Sequence, residues 1–301
     1  MHNIIVFAVI VTYNSEKYIR KCINSINSSS SKIKICIVDN GSSDSTLKIL
    51  EKEYNDLTII RNRENLGFGL ANNVGIEYCL NENADFILLL NHDVYLEKFC
   101  LEELIKQSDS RRVLSPIHCK LGYKGLDNNF KNHVWHGIKN CYFLDEVLCE
   151  RNSLSYIDLA FVNAACWLIP SQTMKLMKGF NENFHHYGED VEFCERLRYM
   201  GLGVRIVANA KMIHDREYFG NEKIFKKGQV LRELKLVLAN PNLSTRKEEY
   251  FKIISGVIYR FFKFDFLIFS RGLFEVFFFL LCFYRVRMYR INWVDTLKLD
   301  K

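Results

Sequence analysis

Four short apolar runs at the start of the chain constrain its fold more than any other feature of the sequence. Ile4 to Val11 ends in Thr12-Tyr13-Asn14-Ser15, Lys34 to Val38 in Asp39-Asn40-Gly41-Ser42-Ser43-Asp44, and Phe86 to Leu90 in Asn91-His92-Asp93, while Leu57 to Ile60 runs into a glycine-containing turn. Each is followed by a stretch with helical spacing, over Lys17 to Ile26, Ser45 to Tyr54, Gly69 to Leu80 and Glu97 to Lys106. Short apolar runs without polar alternation read as strands covered on both faces. Such strands alternating with helices predict an α/β fold built on a mainly parallel, Rossmann-like sheet flanked by helices. Sheets of this kind bind ligands beyond the carboxyl ends of their strands, which is where the polar clusters fall.

Beyond residue 110 the rhythm weakens. Val113 to Cys149 is irregular, with turn residues at Gly122, Gly125, Asp127 and Asn128. Leu159 to Ile169 and Val204 to Val207 read as strands, and Gly188 to Met200 as a helix. From Asn221 onward the spacing is helical, so a domain boundary is expected near Gly220, giving a 1–220 domain and a helical 221–301 region. With 301 residues the chain is long enough to bury a full core without disulfides or metal clips. Its ten cysteines occur singly, with no Cys-x-x-Cys among them, which predicts free thiols in a reducing cytoplasmic compartment. The apolar start is too short to span a bilayer and lacks preceding Lys or Arg, so it reads as a buried strand rather than a leader.

Charge and aromatic content divide unevenly between the two regions. Residues 221–301 hold 16 Lys and Arg against 8 Asp and Glu, a net +8 within a total of +6, which leaves the first 220 residues at −2. Phe251 to Trp293 also holds 15 of the 41 aromatic rings. A basic region of this kind points to nucleic acid or an anionic membrane surface. The rings run in blocks such as Phe277-Phe278-Phe279-Leu280-Leu281, which suits lipid or a packed core better than separated, stacked bases. Phe266 to Tyr284 is long enough to span but contains Arg271 and Glu275, so helices lying in the membrane interface, rings inward and cations on headgroups, are the expectation. Packing onto the first domain and a true membrane span are the alternatives.

The acidic positions carry the chemistry. Asp39 directly follows the second apolar run, Asp93 sits three residues after Leu90, and Gly188-Glu189-Asp190 opens a helix. A carboxylate at a strand's carboxyl end can accept hydrogen bonds from a ligand, or hold a hard divalent cation together with phosphate oxygens. Asp39 and Asp44 suit turns and helix caps equally well, and acidic residues at a helix start are favoured by its dipole alone.

Taken together, Val11-Thr12-Tyr13-Asn14, Val38-Asp39-Asn40-Gly41-Ser42-Ser43-Asp44, Asn65-Leu66-Gly67-Phe68-Gly69-Leu70-Ala71-Asn72-Asn73, Asn91-His92-Asp93 and Gly188-Glu189-Asp190-Val191-Glu192-Phe193-Cys194 resemble, in order and spacing, the family 2 glycosyltransferases of the GT-A fold. The likeness is to the bacterial rhamnosyltransferase-like branch that builds O-antigen and capsular polysaccharide, and it covers roughly residues 4 to 216. The resemblance implies that Thr12, Tyr13 and Asn14 line the nucleotide, with Asp39 accepting from the N3–H of a uracil or thymine. Asn65 and Gly67 would border nucleotide and sugar, Asn72 would hold that loop, and Asn91 would replace the first Asp of a degenerate Asp-x-Asp motif. Asp93 would ligate Mg²⁺ or Mn²⁺ bridging the donor diphosphate, with His214 completing the coordination. Asp190 would be the catalytic base, Glu189 would orient or contact the acceptor, and His186 and Tyr187 would touch it.

These residue types suit an inverting transfer. One carboxylate takes the proton of the attacking hydroxyl, a metal neutralises the departing diphosphate, and no enzyme nucleophile is required. The implied function is transfer of a sugar from a nucleotide diphosphate donor, dTDP-rhamnose or a UDP-hexose, to a lipid-linked or growing surface glycan. It would take place at the inner face of the cytoplasmic membrane, with no nucleic acid partner. The alternative is a non-catalytic, membrane-attached carbohydrate-binding or scaffold protein of the same fold. His185-His186, His133 and His136 lack the spacing of a zinc site. Gly67-Phe68-Gly69-Leu70-Ala71-Asn72 lacks the third glycine of a dinucleotide-binding turn and follows the third strand instead of the first.

Overall fold

The computed structural model describes residues 4–109, 111–135, 138–149, 154–215, 229–243, 255 and 283–297. Its first four strands are β1 (Val6–Thr12), β2 (Lys34–Asp39), β3 (Thr58–Arg61) and β4 (Phe86–Leu90), and between them come helices α1 (Ile19–Asn27), α2 (Thr46–Glu53) and α3 (Phe68–Asn81). Strands β2 and β4 flank β1, and β3 lies outside β2, all parallel, so the carboxyl ends of β2, β1 and β4 form one continuous edge. This is the strand–helix alternation expected from the apolar runs.

The second half of the sheet is mixed. Strands β5 (Val94–Leu96), β6 (Val113–Lys120), β7 (Tyr156–Leu159), β8 (Cys166–Pro170) and β9 (Val204–His214) extend it in the order β3-β2-β1-β4-β8-β6-β9-β5, with β7 alongside β9. Strand β8 runs antiparallel to β4 and β6, and β9 runs parallel to β6 but antiparallel to β5 and β7.

Three sequence expectations change here. The run Leu159 to Ile169 is two strands, because β7 ends at Leu159 and β8 begins at Cys166. The irregular stretch 113–149 holds β6 and helices α5 (Asn128–Val134) and α6 (Ile138–Leu148), while α7 (Ser171–Met177) follows β8. Pro116 breaks the apolar pattern of β6 and sits at a register shift against β9, the kind of irregularity where a strand tolerates proline. Finally, the Val204 to Val207 strand continues to His214, and beyond Val207 its residues alternate between buried and more exposed, a period-two pattern that a search for continuous apolar runs passes over.

Side-chain alternation assigns the helices to faces. Val6, Ala8, Ile10, Ile35 and Ile37 share one buried cluster with Ile19, Cys22 and Ile23 of α1, Ile49 and Leu50 of α2, and Leu101 and Leu104 of helix α4 (Cys100–Lys106). Val9 and Val38, of opposite parity, instead meet α3 at Gly75, where an added Cβ would stand 2.5 Å from Val9 Cγ1 and 3.0 Å from Val38 Cγ2. Helices therefore cover both faces, and each fully buried aliphatic side chain contributes about 1.5–3 kcal/mol. The nine described cysteines are free thiols.

The chain divides into two compact units, Met1–Phe180 with Leu202–Glu217 and Asn181–Gly201 with Tyr218–Lys301. Residues 181–201 thus group with the C-terminal region, although they lie before Gly220. Within that second unit, helix α8 (Glu189–Tyr199) accompanies the helix Gln229–Ala239 and a helix over 283–297. Phe184, Leu234, Leu238, Ala239 and Val286 form its core. Most of the aromatic segment, including all but two residues of Phe266 to Tyr284, lies outside the described residues. Among the described residues no helix is long and apolar enough to cross a membrane.

Candidate active site

The polar clusters expected to bind a ligand meet along the carboxyl edge of β2, β1 and β4. Asp39, buried at the end of β2, accepts hydrogen bonds from Thr12 Oγ1 at 2.9 Å, Ser42 Oγ at 2.6 Å and Ser42 N at 3.0 Å. The same carboxylate therefore closes its own turn and ties β2 to β1. Asn14 takes a left-handed φ of +51°, which Asn tolerates, and this turns its Oδ1 toward the backbone N–H groups of Ser43 and Asp44, at 2.8 and 3.3 Å. Tyr13 is exposed beside it.

Asn40 holds the next loop. Its Nδ2 donates to Asn65 Oδ1 at 2.9 Å and to the Gly67 carbonyl at 3.3 Å, while its Oδ1 accepts from Asn62 Nδ2 at 3.1 Å and Leu66 N at 3.0 Å. Asn65 Oδ1 also accepts from Gly67 N at 2.9 Å, and Gly67 enters α3 at a φ of +82° that favours glycine. The Asn72 amide donates to the Phe68 carbonyl at 2.9 Å, one turn back in α3. Asn73 exchanges two hydrogen bonds with the Phe180 backbone, at 2.7 and 2.9 Å.

A second cluster forms where β4 ends. Asn91 N donates to the Ala165 carbonyl, and His92 Nδ1 lies 3.3 Å from the Val11 carbonyl at the end of β1. Strand β5 follows Asp93 at once and pairs with β9, placing Val94 opposite His214, and Asp215 N donates to the Asp93 carbonyl at 2.8 Å. This ladder sets His214 Nε2 3.4 Å from Asp93 Oδ1, with the imidazole 1% exposed. Its other nitrogen, Nδ1, lies 3.8 Å from Asp127 Oδ2. Asn91 Oδ1 is buried and accepts no hydrogen bond among the described residues.

These groups fit a divalent cation bound together with a phosphorylated ligand. A carboxylate and an imidazole nitrogen supply two donors, and the orphaned Asn91 amide oxygen is a further hard acceptor on the same turn. Among the described residues no group of three or more His, Cys, Asp and Glu side chains is placed to hold a metal. Such an ion would take its remaining ligands from phosphate oxygens and water, as Mg²⁺ commonly does.

The second unit carries the other pair of carboxylates. Tyr187 and Gly188 take left-handed φ values of +63° and +95°, turning the chain into α8. Glu189 is 5% exposed, and its Oε2 accepts no hydrogen bond among the described residues. Burial, with the adjacent Asp190 carboxylate adding to it, pushes the Glu189 carboxyl up to about 8. Asp190 Oδ1 accepts from Val191 N at 2.8 Å. His186 and Tyr187 stack edge to face at 4.7 Å, and the Arg232 guanidinium lies 5.6 Å from the Tyr187 ring centre.

Three contributors escape a motif reading. Asn40 lies inside the Asp39 to Asp44 segment, and its bonds become visible only once the loop after β3 is in place. Ser42 serves both Asp39 and Asn14. Asp127 lies in the irregular stretch and reads there as a turn residue; in the structure it is the N-cap of α5, accepting from Phe130 N at 3.0 Å.

Comparison with known proteins adds lineage to this geometry. Residues 7–156 match the model of glycosyl transferase family 2. The low-salt glycan biosynthesis hexosyltransferase Agl10 of Haloferax volcanii is 28% identical over 212 residues, 69% of this chain and 66% of that protein. The chondroitin synthase of Escherichia coli is 34% identical over 78% of this chain but only 32% of its own length, so the chain spans about a third of that relative. The rhamnosyltransferase WbbL of Escherichia coli K12 is 24% identical over 69% of this chain and 83% of that protein. Among solved structures, Staphylococcus aureus TarS 1-349 in complex with UDP-GlcNAc aligns with a TM-score of 0.58 over 87% of this chain and 73% of that one, at 17% identity. GalNAc-T7 with UDP, GalNAc and Mn²⁺ aligns with a TM-score of 0.62 over 78% of this chain and 47% of that one, at 13% identity. The mixed, mostly parallel sheet flanked by helices is the GT-A fold of these structures, and the chain belongs to glycosyltransferase family 2.

Proposed function

We propose that the protein is an inverting, metal-dependent glycosyltransferase that moves one sugar, rhamnose or a hexose, from a dTDP or UDP donor to a lipid-linked or growing surface glycan. The observation that carries this reading is the approach of Asp93 and His214 to 3.4 Å on the strand edge that also presents Asp39, Asn14 and Asn65. In this reading Thr12, Tyr13 and Asn14 line the nucleotide, and Asp39, bonded on three sides, accepts a further donor from the base. Asn65, Gly67, Asn72 and Asn91 shape the walls around ribose and sugar. Asp93 and His214 hold Mg²⁺ or Mn²⁺, which when bound stabilises the negative charge of the departing diphosphate.

Asp190 takes the proton of the acceptor hydroxyl as its oxygen attacks the anomeric carbon. The bond to the diphosphate oxygen breaks, and its electron pair leaves with the nucleoside diphosphate. The neighbouring carboxyl supports this division of labour. With its pKa near 8, Glu189 keeps its proton at neutral pH and is suited to donating a hydrogen bond to the acceptor, so the basic role falls to Asp190. His186 and Tyr187 contact the acceptor sugar, and the basic, aromatic 221–301 region holds the enzyme against anionic lipid at the inner face of the cytoplasmic membrane.

A donor panel of UDP- and dTDP-sugars, run with Mg²⁺, Mn²⁺ or a chelator and a lipid-pyrophosphate acceptor, tests this. Acceptor-dependent release of nucleoside diphosphate that stops with chelator and with Asp190→Asn is expected. Release from no donor would favour the scaffold reading, and full activity of Asp190→Asn would remove Asp190 as the base.

A further inference from the structure

Asp127 approaches the imidazole of His214 from the side opposite Asp93, and the fold goes to some length to put it there. After β6 the chain makes a tight excursion through Gly122, Tyr123 and Gly125, all at positive φ. It then returns to pair with the strand it left: Lys120 N donates to the Gly125 carbonyl and Asp127 N to the His118 carbonyl, both at 2.8 Å. That return delivers Asp127, 2% exposed, beneath His214, itself 3% exposed. The two carboxylate oxygens of Asp127 then have separate tasks. Oδ1 accepts from Phe130 N at 3.0 Å and caps α5, while Oδ2 lies 3.8 Å from His214 Nδ1.

A helix cap needs only one oxygen, and Asn or Ser supplies it as well as Asp. The cap therefore does not account for the second oxygen, Oδ2, which faces His214. A carboxylate accepts and cannot donate, so Asp93 at 3.4 Å from Nε2 and Asp127 at 3.8 Å from Nδ1 compete for the one hydrogen of a neutral His214. A cation at Asp93 would need the Nε2 lone pair, and the hydrogen would then sit on Nδ1, the edge that faces Asp127.

We propose that Asp127 is a positioning residue for the donor site: it fixes the tautomer and orientation of His214 so that Nε2 is presented to the divalent cation of the sugar-nucleotide donor. The proposal rests on the reading above that Asp93 and His214 face that cation. A carboxylate behind a ligating histidine raises its basicity and locks its ring, and losing it typically lowers metal affinity 10- to 100-fold.

The substitution Asp127→Asn separates the two tasks. Asn retains the cap through its Oδ1 but turns an N–H donor toward His214 Nδ1, which favours the opposite tautomer and spoils Nε2 as a ligand. Full-length protein carrying ¹⁵N-labelled histidine, at a pH where the imidazole is neutral, is read by NMR with UDP, with and without Mg²⁺, and His214→Gln assigns the signals. With Mg²⁺ the parent is expected to carry its hydrogen on Nδ1, while in Asp127→Asn, whose amide donates to Nδ1, the hydrogen is expected to stay on Nε2. Mn²⁺ titration of the same proteins is expected to show a 10- to 100-fold weaker site in Asp127→Asn, an intermediate loss in Asp127→Ser, and a Tm close to the parent for both. An unchanged tautomer in Asp127→Asn, or a fall in Tm as its only effect, would reduce Asp127 to a helix cap and overturn the proposal. Should the parent bind no Mn²⁺, the metal reading fails, and only a metal-free tautomer that differs between the parent and Asp127→Asn would leave the control of His214 by Asp127 standing.

Discussion

The side-chain amides of Asn40 and Asn65 are joined by a 2.9 Å hydrogen bond, and through it the end of β2 grips the loop that opens α3. The Asn40 amide uses both ends, so its removal strands donors and acceptors at several points at once. Asn40→Ala is expected to cost roughly 2–3 kcal/mol, the range for truncating a buried polar group whose partners stay behind. Nucleoside diphosphate affinity is expected to fall with it, as Asn65 and Gly67 lose their support. Urea unfolding and calorimetric titration with UDP measure both effects, and a variant as stable as the parent would show that the loop holds itself.

Gly75 is where α3 meets the sheet most closely. Exchanging glycine for alanine inside a helix ordinarily gains up to about 1 kcal/mol. Here the new methyl meets Val9 Cγ1 at 2.5 Å, and overpacking of this kind costs about 1–3 kcal/mol. Gly75→Ala is therefore expected to destabilise, and adding Val9→Ala to recover part of the loss. A double-mutant cycle from thermal melts measures that coupling.

Protonation of Glu189 links stability to pH. Its folded pKa, about 8, stands above the ordinary 4.5, so between those values the folded protein holds a proton that the unfolded chain has lost. The stability Glu189 contributes is full below about pH 4.5 and is lost as the pH rises through about 8. Relative to Glu189→Gln, the parent is expected to lose stability by about 1.4 kcal/mol per pH unit across this window and to level off above it. Parallel pH series of chemical denaturation would expose a flat difference, which would mean that Glu189 is already ionised at low pH.

Arg196 and Glu192 form an ion pair at 2.9 Å with both side chains 1% exposed, and the guanidinium lies 5.5 Å from the Trp293 ring centre. Asn181 Nδ2 donates to the other Glu192 oxygen at 3.2 Å. Arg196→Met is expected to cost about 3–5 kcal/mol, because it leaves Glu192 buried without its partner. Adding Glu192→Leu is expected to restore most of the loss, as apolar replacements of buried pairs often do. Denaturant midpoints of the two single variants and the double variant decide the matter.

The parallel half of the sheet was readable in the sequence because its strands are buried on both faces, and Ile35 to Val38 carries no polar residue to blur the signal. Thr12, Asp39, Asn91 and Asp93 fall at strand ends for the same reason. The other half hid itself in ordinary ways. Pro116 and His118 disguise β6, and alternation through Asn209 and Lys211 disguises the last turns of β9. The partnership of Asp93 with His214 lay in a family resemblance rather than in spacing. Nothing local marks Asp127, whose importance appears only when a return across 118–127 and a strand ending at His214 come together. Glu189 and Asp190 look alike as letters; burial separates them.

The ladder that seats Val94 opposite His214 has a consequence for how the protein comes into being. Asp93 and His214 belong to segments far apart in the chain, and they meet only after β9 has been threaded between β6 and β5. Contacts of such long sequence separation close late, because the entropy of the intervening loop must be overcome first. A chain still emerging from the ribosome, with its first four strands already paired, would have the loops that carry Asp39 and Asn65 but not the approach of Asp93 to His214, which arrives with the last strand of the sheet.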